Sequence, residues 1–322
     1  MYLLTGDWHL DAEPENEYRW KVFDRVRDAL IEHDVSTVFV LGDFVDKKDR
    51  HPASFVNRLL AELNDLDCLT VILRGNHDTT LNPPSFFEFL QNERTVYVTV
   101  PTAWRPDLLL LPFTPEPKID WQHVDLPSYR ALFMHVTYPG AIGENGRALE
   151  GTRLPLLRGE TKIFSGDVHT PQRFGNFVHV GAPHPVKFGD SYPCRMLLID
   201  EETFAIAEEI ELDPMHKLMI DITDPVQLLR LKVSPGDQVK IRFHATPGDI
   251  ENFGKVEQQI AAWAGTYGVK IASTEVEVAT GYHEGVDTNQ SPMEILRQYA
   301  VQEGLTDELT VVGLELLKEV TG

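Results

Sequence analysis

Val38-Phe39-Val40-Leu41-Gly42-Asp43-Phe44-Val45-Asp46 is an apolar run that halts at a glycine and then presents a carboxylate. A run of this length, bounded by a turn residue, suits a parallel strand covered on both faces. Open α/β sheets place their chemistry in the crevice at the carboxyl ends of the strands. Asp43 is therefore expected in that crevice, and we read it as a bridge between two metal ions. That reading requires other strand ends to supply the remaining ligands.

The flanking segments repeat the pattern. Residues 2–4 read as a strand ending at Thr5-Gly6-Asp7-Trp8-His9-Leu10, and residues 17–33 as a helix with Trp20, Phe23, Val26, Ala29 and Leu30 at near 3.6 spacing. Residues 35–41 form the second strand and 55–66 the second helix. Residues 69–73 are a third strand, ending at Arg74-Gly75-Asn76-His77-Asp78. This alternation predicts parallel strands joined by right-handed crossovers. Mostly β signals follow, at 95–100, 108–113, 130–134 (ending at His135), 161–165 (ending at Gly166-Asp167-Val168-His169), 177–180 and 195–199.

The composition changes near Asp213-Pro214. Beyond it, strands at 217–222, 239–243 and 269–278 alternate with helices at 225–231 and 250–264, a small α+β module. The last segment reads as helical. Ser291-Pro292-Met293-Glu294 is a capping-box pattern with proline at the first helical position. Thr306 is read as the cap of a final helix whose stripe is Leu309, Val312, Leu316 and Val320. That stripe packs on the body or docks a partner helix.

The chain has 322 residues, enough for one large domain and a smaller one. Its apolar and charged fractions are those of ordinary globular proteins. Its longest apolar runs, such as 108–111, are too short to span a bilayer. No basic leader precedes Tyr2-Leu3-Leu4, so no signal peptide is expected. Cys68 and Cys194 lie outside any motif, which fits a reducing cytoplasm and argues against structural zinc. The net charge of −21 counts against simple coating of nucleic acid, although bound cations or a partner can offset it. Lys47-Lys48-Asp49-Arg50 and the scattered Arg147, Arg153, Arg158 and Lys162 have the size of ordinary solvated faces.

The polar residues at strand ends are Asp7, His9, Asp43, Asn76, His77, His135, Asp167 and His169. Hard divalent cations take carboxylate and amide oxygens, while imidazole suits manganese, iron and zinc. Two metals about 3.5–4 Å apart share a ligand and activate water for in-line attack on phosphorus. Taken singly, each element has a plainer reading: Asp-x-His a turn, Gly-Asn-His-Asp an Asx turn, His135 a satisfied core histidine. Their order and shared placement point instead to one metal site. Trp8 reads as packing, with a base-stacking wall as the alternative. His33, His51, His123, His216, His244 and His283 read as surface or structural. His179 and His184 fall near the site in chain order but at no ligand position.

Asp7-Trp8-His9, Gly42-Asp43-Phe44-Val45-Asp46, Gly75-Asn76-His77-Asp78, His135 and Gly166-Asp167-Val168-His169 together resemble the calcineurin-like metallophosphoesterase superfamily. Its pattern is Asp-x-His, Gly-Asp-x-x-Asp, Gly-Asn-His-Asp, His and Gly-His-x-His. The resemblance covers about residues 1–200 and implies a four-layer α/β/β/α sandwich. Asp7-Trp8-His9-Leu10, His169-Thr170-Pro171-Gln172, and His179-Val180-Gly181-Ala182-Pro183 with Phe188 beyond are similar to the SbcD-type nucleases, known elsewhere as the meiotic-recombination-eleven family. The layout implied is a nuclease domain over 1–212, an α+β capping and DNA-binding domain over 213–285, and C-terminal helices over 286–322 that dock an ATPase.

By this resemblance, Asp7, His9, Asp43 and His169 hold one divalent ion, and Asp43, Asn76, His135 and Asp167 the other. Manganese is expected, with magnesium as the alternative. His77 is expected at the scissile phosphate, either stabilising charge or protonating the leaving oxygen, oriented by Asp46 or Asp78, with a metal-bridging hydroxide as nucleophile and no covalent protein intermediate. Two positions depart from the family. Asp167 stands where it usually has histidine, and Asp46 where SbcD-type nucleases often have histidine. An oxygen at 167 either biases the second ion toward manganese or magnesium over zinc, or weakens that site.

The implied function is a metal-dependent DNA exonuclease and endonuclease, the nuclease subunit of an SbcC–SbcD-like recombination and repair complex. Its partners would be DNA, an SbcC-type coiled-coil ABC ATPase and a second copy of the chain, without a membrane, in the cytoplasm of a bacterium or phage-infected host. Two other functions stand beside it. The acidic balance favours a free-standing metallophosphatase or phosphodiesterase on a small or protein substrate. Asp167 favours a weakly active scaffold for the ATPase. The appended module and helical tail favour the nuclease, since a small-substrate enzyme needs neither.

Overall fold

The structure, a computed structural model, describes residues 1–80, 86–144, 146–154, 159–246, 249, 252–278, 292–302 and 310–314. The expected caps at Ser291 and Thr306 and most of the terminal apolar stripe lie outside the described residues.

The N-terminal part alternates as the sequence predicts: β1 (Tyr2–Thr5), α1 (Val22–Glu32), β2 (Thr37–Val40), α2 (Ala53–Asp65), β3 (Leu69–Leu73) and β4 (Thr95–Val98). These four strands are parallel neighbours in that order. The second sheet draws on β5 (Thr102–Arg105), β6 (Leu108–Leu111), β7 (Ala131–Met134), β8 (Lys162–Ser165), β9 (Gln172–Phe174) and β10 (Phe177–His179), with order β5-β6-β7-β8-β10-β9. Its four inner strands are parallel and its two edges antiparallel. The chain then returns to the first sheet as β11 (Cys194–Ile199), antiparallel to β1, and β12 (Ile206–Leu212).

The period-two alternation of side chains decides what each face meets. Leu3, Val38, Val40 and Ile72 point to one side of the first sheet, where α1 and α2 bring Phe23, Val26, Phe55, Leu59 and Leu63. Leu4, Phe39, Val71 and Leu73 point the other way and pack against Leu110, Phe133, Phe164 and Val178 of the second sheet. Phe39 meets both Tyr2 and Phe133 edge-on, and each such pair adds about 0.5–1.5 kcal/mol beyond its buried area. The far side of the second sheet carries Leu109, Leu111, Leu132 and Ile163, covered by Trp121 and Leu126. The covering segments are short helical turns, Pro117–Asp120 and Leu126–Ser128. The result is the four-layer α/β/β/α arrangement, with a thin fourth layer.

Strands β5, β9 and β12 were not among the strands expected. β12 reads Ile206-Ala207-Glu208-Glu209-Ile210-Glu211-Leu212 and lies exposed at a sheet edge, so its acidic outer face hides the strand period. The helix expected over 17–33 is α-helical only from Val22. Residues Pro14–Lys21 wind as a 3-10 helix. Their side chains are committed to the neighbouring loop: Asn16 and the Trp20 indole donate to Asp11.

Residues 217–278 hold a third sheet of β13 (Lys217–Ile222), β14 (Gln238–Ala245) and β15 (Lys270–Val278), all parallel. The crossovers are the 3-10 helix Pro225–Arg230, started by an Asp224 capping box, and the helix Phe253–Tyr267. They bury a separate core of Val239, Ile241, Phe243, Val256, Ile260 and Trp263. This unit is fastened to the 3-10 helix at residues 15–18. Lys217 Nζ donates to Asn16 Oδ1 at 2.9 Å, and the Gln238 amide donates to the Glu15 carbonyl. Among the described residues, no helix is long and apolar enough to cross a membrane.

Candidate metal centre

The loops leaving β1 and β2 stay paired beyond their strands. Asp7 N donates to Gly42 O and His9 N to Asp43 O, both at 2.9 Å. To turn their side chains together, Asp7, His9, Asp43 and Asp167 adopt left-handed φ angles of 54°, 46°, 48° and 74°. Each costs on the order of 1–2 kcal/mol for an L-residue, less for Asp. Strain of this kind clusters where the rest of the fold over-determines it. Two glycines make the convergence possible. A Cβ on Gly42 would stand 2.2 Å from His135 Nδ1, and one on Gly75 would stand 2.1 Å from the Asp43 main-chain nitrogen.

His135 shows why a cation fits. Its Nδ1 lies 2.7 Å from the Leu41 carbonyl, which only accepts, so Nδ1 carries a proton. Its Nε2 faces Asn76 Oδ1 (2.9 Å), Asp43 Oδ1 (3.4 Å) and Asp167 Oδ1 (3.7 Å), and offers them a proton until a cation takes its place. Once Nε2 gives up its proton, one nitrogen and three oxygens with lone pairs converge on one point. Burial pushes the His135 pKa down, but Asp43, then Asp167 and Asp7, outweigh it and hold it well above the usual value. A pocket that attracts a proton this strongly attracts a divalent ion for the same reason.

The second cluster lies across Asp43. His9 Nε2 and His169 Nε2 face each other at 3.1 Å, about the separation of two adjacent ligands on an ion with ~2.1 Å bonds. Asp43 Oδ2 is 3.6 Å from His9 Nε2. Asp7 is fully buried; its Oδ1 accepts from Asp167 N at 3.0 Å, while its Oδ2 has no hydrogen-bond partner. Each histidine has a carboxylate behind its other nitrogen: Asp46 Oδ1 is 3.3 Å from His9 Nδ1, and Glu144 Oε1 is 2.8 Å from His169 Nδ1. Such carboxylate–histidine pairs orient metal ligands. Burial lowers the His9 pKa to about 4, so it is neutral and available to donate. Burial raises the Asp43 pKa, yet His135, His9 and His77 outweigh it and keep the carboxylate ionised. Asp7/His9/His169 and Asp7/Asp43/His135 both bring ligand atoms within 4.8 Å of one another, as does a third set, His9/Asp46/His77. The donor set of imidazole, carboxylate and one amide oxygen therefore fits divalent cations.

All the strand-end residues expected at the site come together; of the two residues expected to orient His77, Asp46 does so through its main chain and Asp78 does not. His77 Nδ1 meets the main-chain carbonyl of Asp46 at 2.9 Å, while the Asp46 carboxylate faces His9. The Asp78 carboxylate accepts from the main-chain N–H groups of Phe44, Val45 and Gly75 at 3.2, 3.0 and 2.8 Å. It ties the β2 and β3 loops together behind the site. Asp167 is turned partly outward, its Oδ2 accepting from the Thr137 hydroxyl. Trp8 is fully buried against Phe23 and Phe44 with its indole N–H on Thr5, which removes the stacking-wall alternative. His179 accepts from Tyr138 N and donates to Gly166 O, and His184 donates to Trp8 O; both are structural.

Three residues at the site carried no sequence signal. Arg19 is buried, bonded to the His9 and Val186 carbonyls, and lies 3.7 Å from Asp46 Oδ1. Thr137 holds Asp167, and Glu144 backs His169.

Residues 2–135 match the family model described as calcineurin-like phosphoesterase. No curated protein matches the chain. Among solved structures it is similar to the Pseudomonas putida nuclease MPE, with 17% identity over 66% of this chain and 72% of that one and a TM-score of 0.31.

Proposed function

We propose that this phosphoester hydrolase is a metal-dependent DNA nuclease of the SbcD type, using two divalent ions, manganese first. Asp43 carries the proposal, because its two carboxylate oxygens face different histidines, His9 at 3.6 Å and His135 at 3.4 Å. Asp7, His9, Asp43 and His169 would hold one ion, and Asp43, Asn76, His135 and Asp167 the other. Bound there, the ions supply Lewis acidity toward a phosphoester and lower the pKa of water toward neutrality.

The chain's own part is positioning and proton handling. The His77 main-chain N–H donates to Asp43 Oδ1 at 2.8 Å and fixes the shared carboxylate. The Leu41 carbonyl fixes the His135 tautomer. The His77 ring, half-buried beside His9, is placed to protonate a leaving oxygen.

A polymeric substrate is supported by the third sheet. It docks on residues 15–18, the segment between His9 and Arg19 in the chain, and under this reading it would contact a substrate longer than the centre. The ATPase partner, the homodimer and a cytoplasmic setting belong to the same proposal and rest on the resemblance alone.

Incubation of the chain with manganese and linear duplex DNA, beside bis-nitrophenyl phosphate, is expected to cleave both. The net charge of −21 favours a second reading, a phosphodiesterase for small substrates. Hydrolysis of the small diester with intact DNA, even with an SbcC-type ATPase added, would establish that second reading. The assignment of Asp167 is tested separately. Asp167→Ala is expected to lower the occupancy of one manganese ion and spare the other, as read by elemental analysis after gel filtration. Full occupancy of both would remove Asp167 from the ligands.

A further inference from the structure

Outside the ligand motifs, the segment after β7 doubles back. Gly140 N donates to Leu149 O at 3.0 Å and Leu149 N to Ala141 O at 2.7 Å, and Ile142 pairs with Ala148 as an isolated bridge. Gly143 N closes the tip on Arg147 O at 2.9 Å. Glu144 stands at this tip. One carboxylate oxygen lies 2.8 Å from His169 Nδ1 and the other 3.8 Å from Lys187 Nζ.

Gln172 fastens the loop just before the tip. Gln172 accepts from Ile142 N at 2.8 Å and donates to Ile142 O at 2.7 Å, a reciprocal amide pair two residues before Glu144. Gln172 itself lies three residues after His169, at the start of β9. The same short stretch therefore presents His169 and holds the loop that touches it. Nε2 of His169 faces His9 Nε2 at 3.1 Å. For that nitrogen to offer a lone pair, the ring proton must sit on Nδ1, the nitrogen beside Glu144. Asp46 plays the matching part for His9, but Asp46 lies within a ligand motif, whereas Glu144 is delivered by a loop with none.

We propose that Glu144 is a positioning residue that sets the tautomer and orientation of His169, and that Gln172 is the clamp that keeps Glu144 in place. The proposal rests on His169 being a metal ligand. Glu144 touches neither substrate nor metal. It acts through the imidazole, as carboxylates behind metal-bound histidines do.

The test is calorimetric titration of the metal-free chain with manganese, with thermal unfolding of each metal-free form as the control for folding. The wild type is expected to show two binding events. Glu144→Ala should weaken one of them by about 10–100-fold and leave the other. Glu144→Gln, whose amide oxygen can stand where the carboxylate oxygen stands beside Nδ1, should recover most of the loss. Gln172→Ala should weaken the same event, and the double variant should be no worse than Glu144→Ala alone. Unchanged affinity in Glu144→Ala, equal losses in Glu144→Gln and Glu144→Ala, or additive losses in the double variant would overturn the proposal. A wild type that takes up no manganese would overturn the metal centre itself, which separates that failure from a failure of Glu144.

Discussion

His77→Ala is expected to keep both metal ions and to lose about 10²–10⁴-fold in turnover on DNA. The metal should remain because the contact that His77 makes to Asp43 comes from its main-chain N–H, which alanine retains. The rate should fall because the ring is the proposed proton source. Nδ1 sits 2.9 Å from the Asp46 carbonyl, which fixes the ring, and the ring stands edge-on to His9 at 4.7 Å. A proton donor matters most when the leaving oxygen is basic. The loss should therefore be large for DNA, which expels an alkoxide, and small for bis-nitrophenyl phosphate, whose nitrophenolate leaves without help. Equal losses on the two substrates would assign His77 to charge stabilisation instead. Loss of an ion in the variant would make it a ligand, as its proximity to His9 and Asp46 allows.

The convergence of Asp7, His9, Asp43, Asn76, His135, Asp167 and His169 is legible in the sequence because each sits at the end of a short apolar strand, next to a turn. Strand order in a parallel sheet then brings the ends together without further information. What the sequence hides is whatever depends on a long-range fit. Asp78 adjoins His77 in the chain, yet its carboxylate points to main-chain donors of the β2 loop. Arg19 and Glu144 reach the centre from a 3-10 helix and a loop tip whose local sequences resemble any solvated turn. The same limit explains β12, where the edge position leaves an acidic face exposed and blurs the period-two pattern.

Asp7→Asn is expected to reverse sign between chelator and manganese. Burial pushes the Asp7 carboxyl up to about 7, aided by Asp43 and Asp167 and opposed by His135 and His169. Its Oδ2 has no hydrogen-bond partner. In the unfolded chain the group ionises near its ordinary value of 3.8. Below about pH 4 both states are protonated and Asp7 has no effect on stability. As pH rises toward 7 the unfolded chain has released a proton that the folded chain must still give up, so metal-free stability falls, and the full cost is present above pH 7. Asparagine removes the charge, keeps the shape and tolerates the left-handed φ of 54°. An unpaired buried amide costs less than an unpaired carboxylate. With chelator at pH 8, Asp7→Asn should thus be more stable than wild type by about 1–3 kcal/mol, and the difference should vanish near pH 4. With manganese the order should invert. The wild type gains about 4.1 kcal/mol at a thousandfold excess over its dissociation constant, while the variant, short of a ligand, gains little. Thermal unfolding of both proteins at pH 4 and pH 8, with chelator and with manganese, reads all four values. If the variant is the less stable form in chelator at pH 8, Asp7 is a satisfied structural carboxylate. If manganese lifts both proteins alike, the ion is held without Asp7.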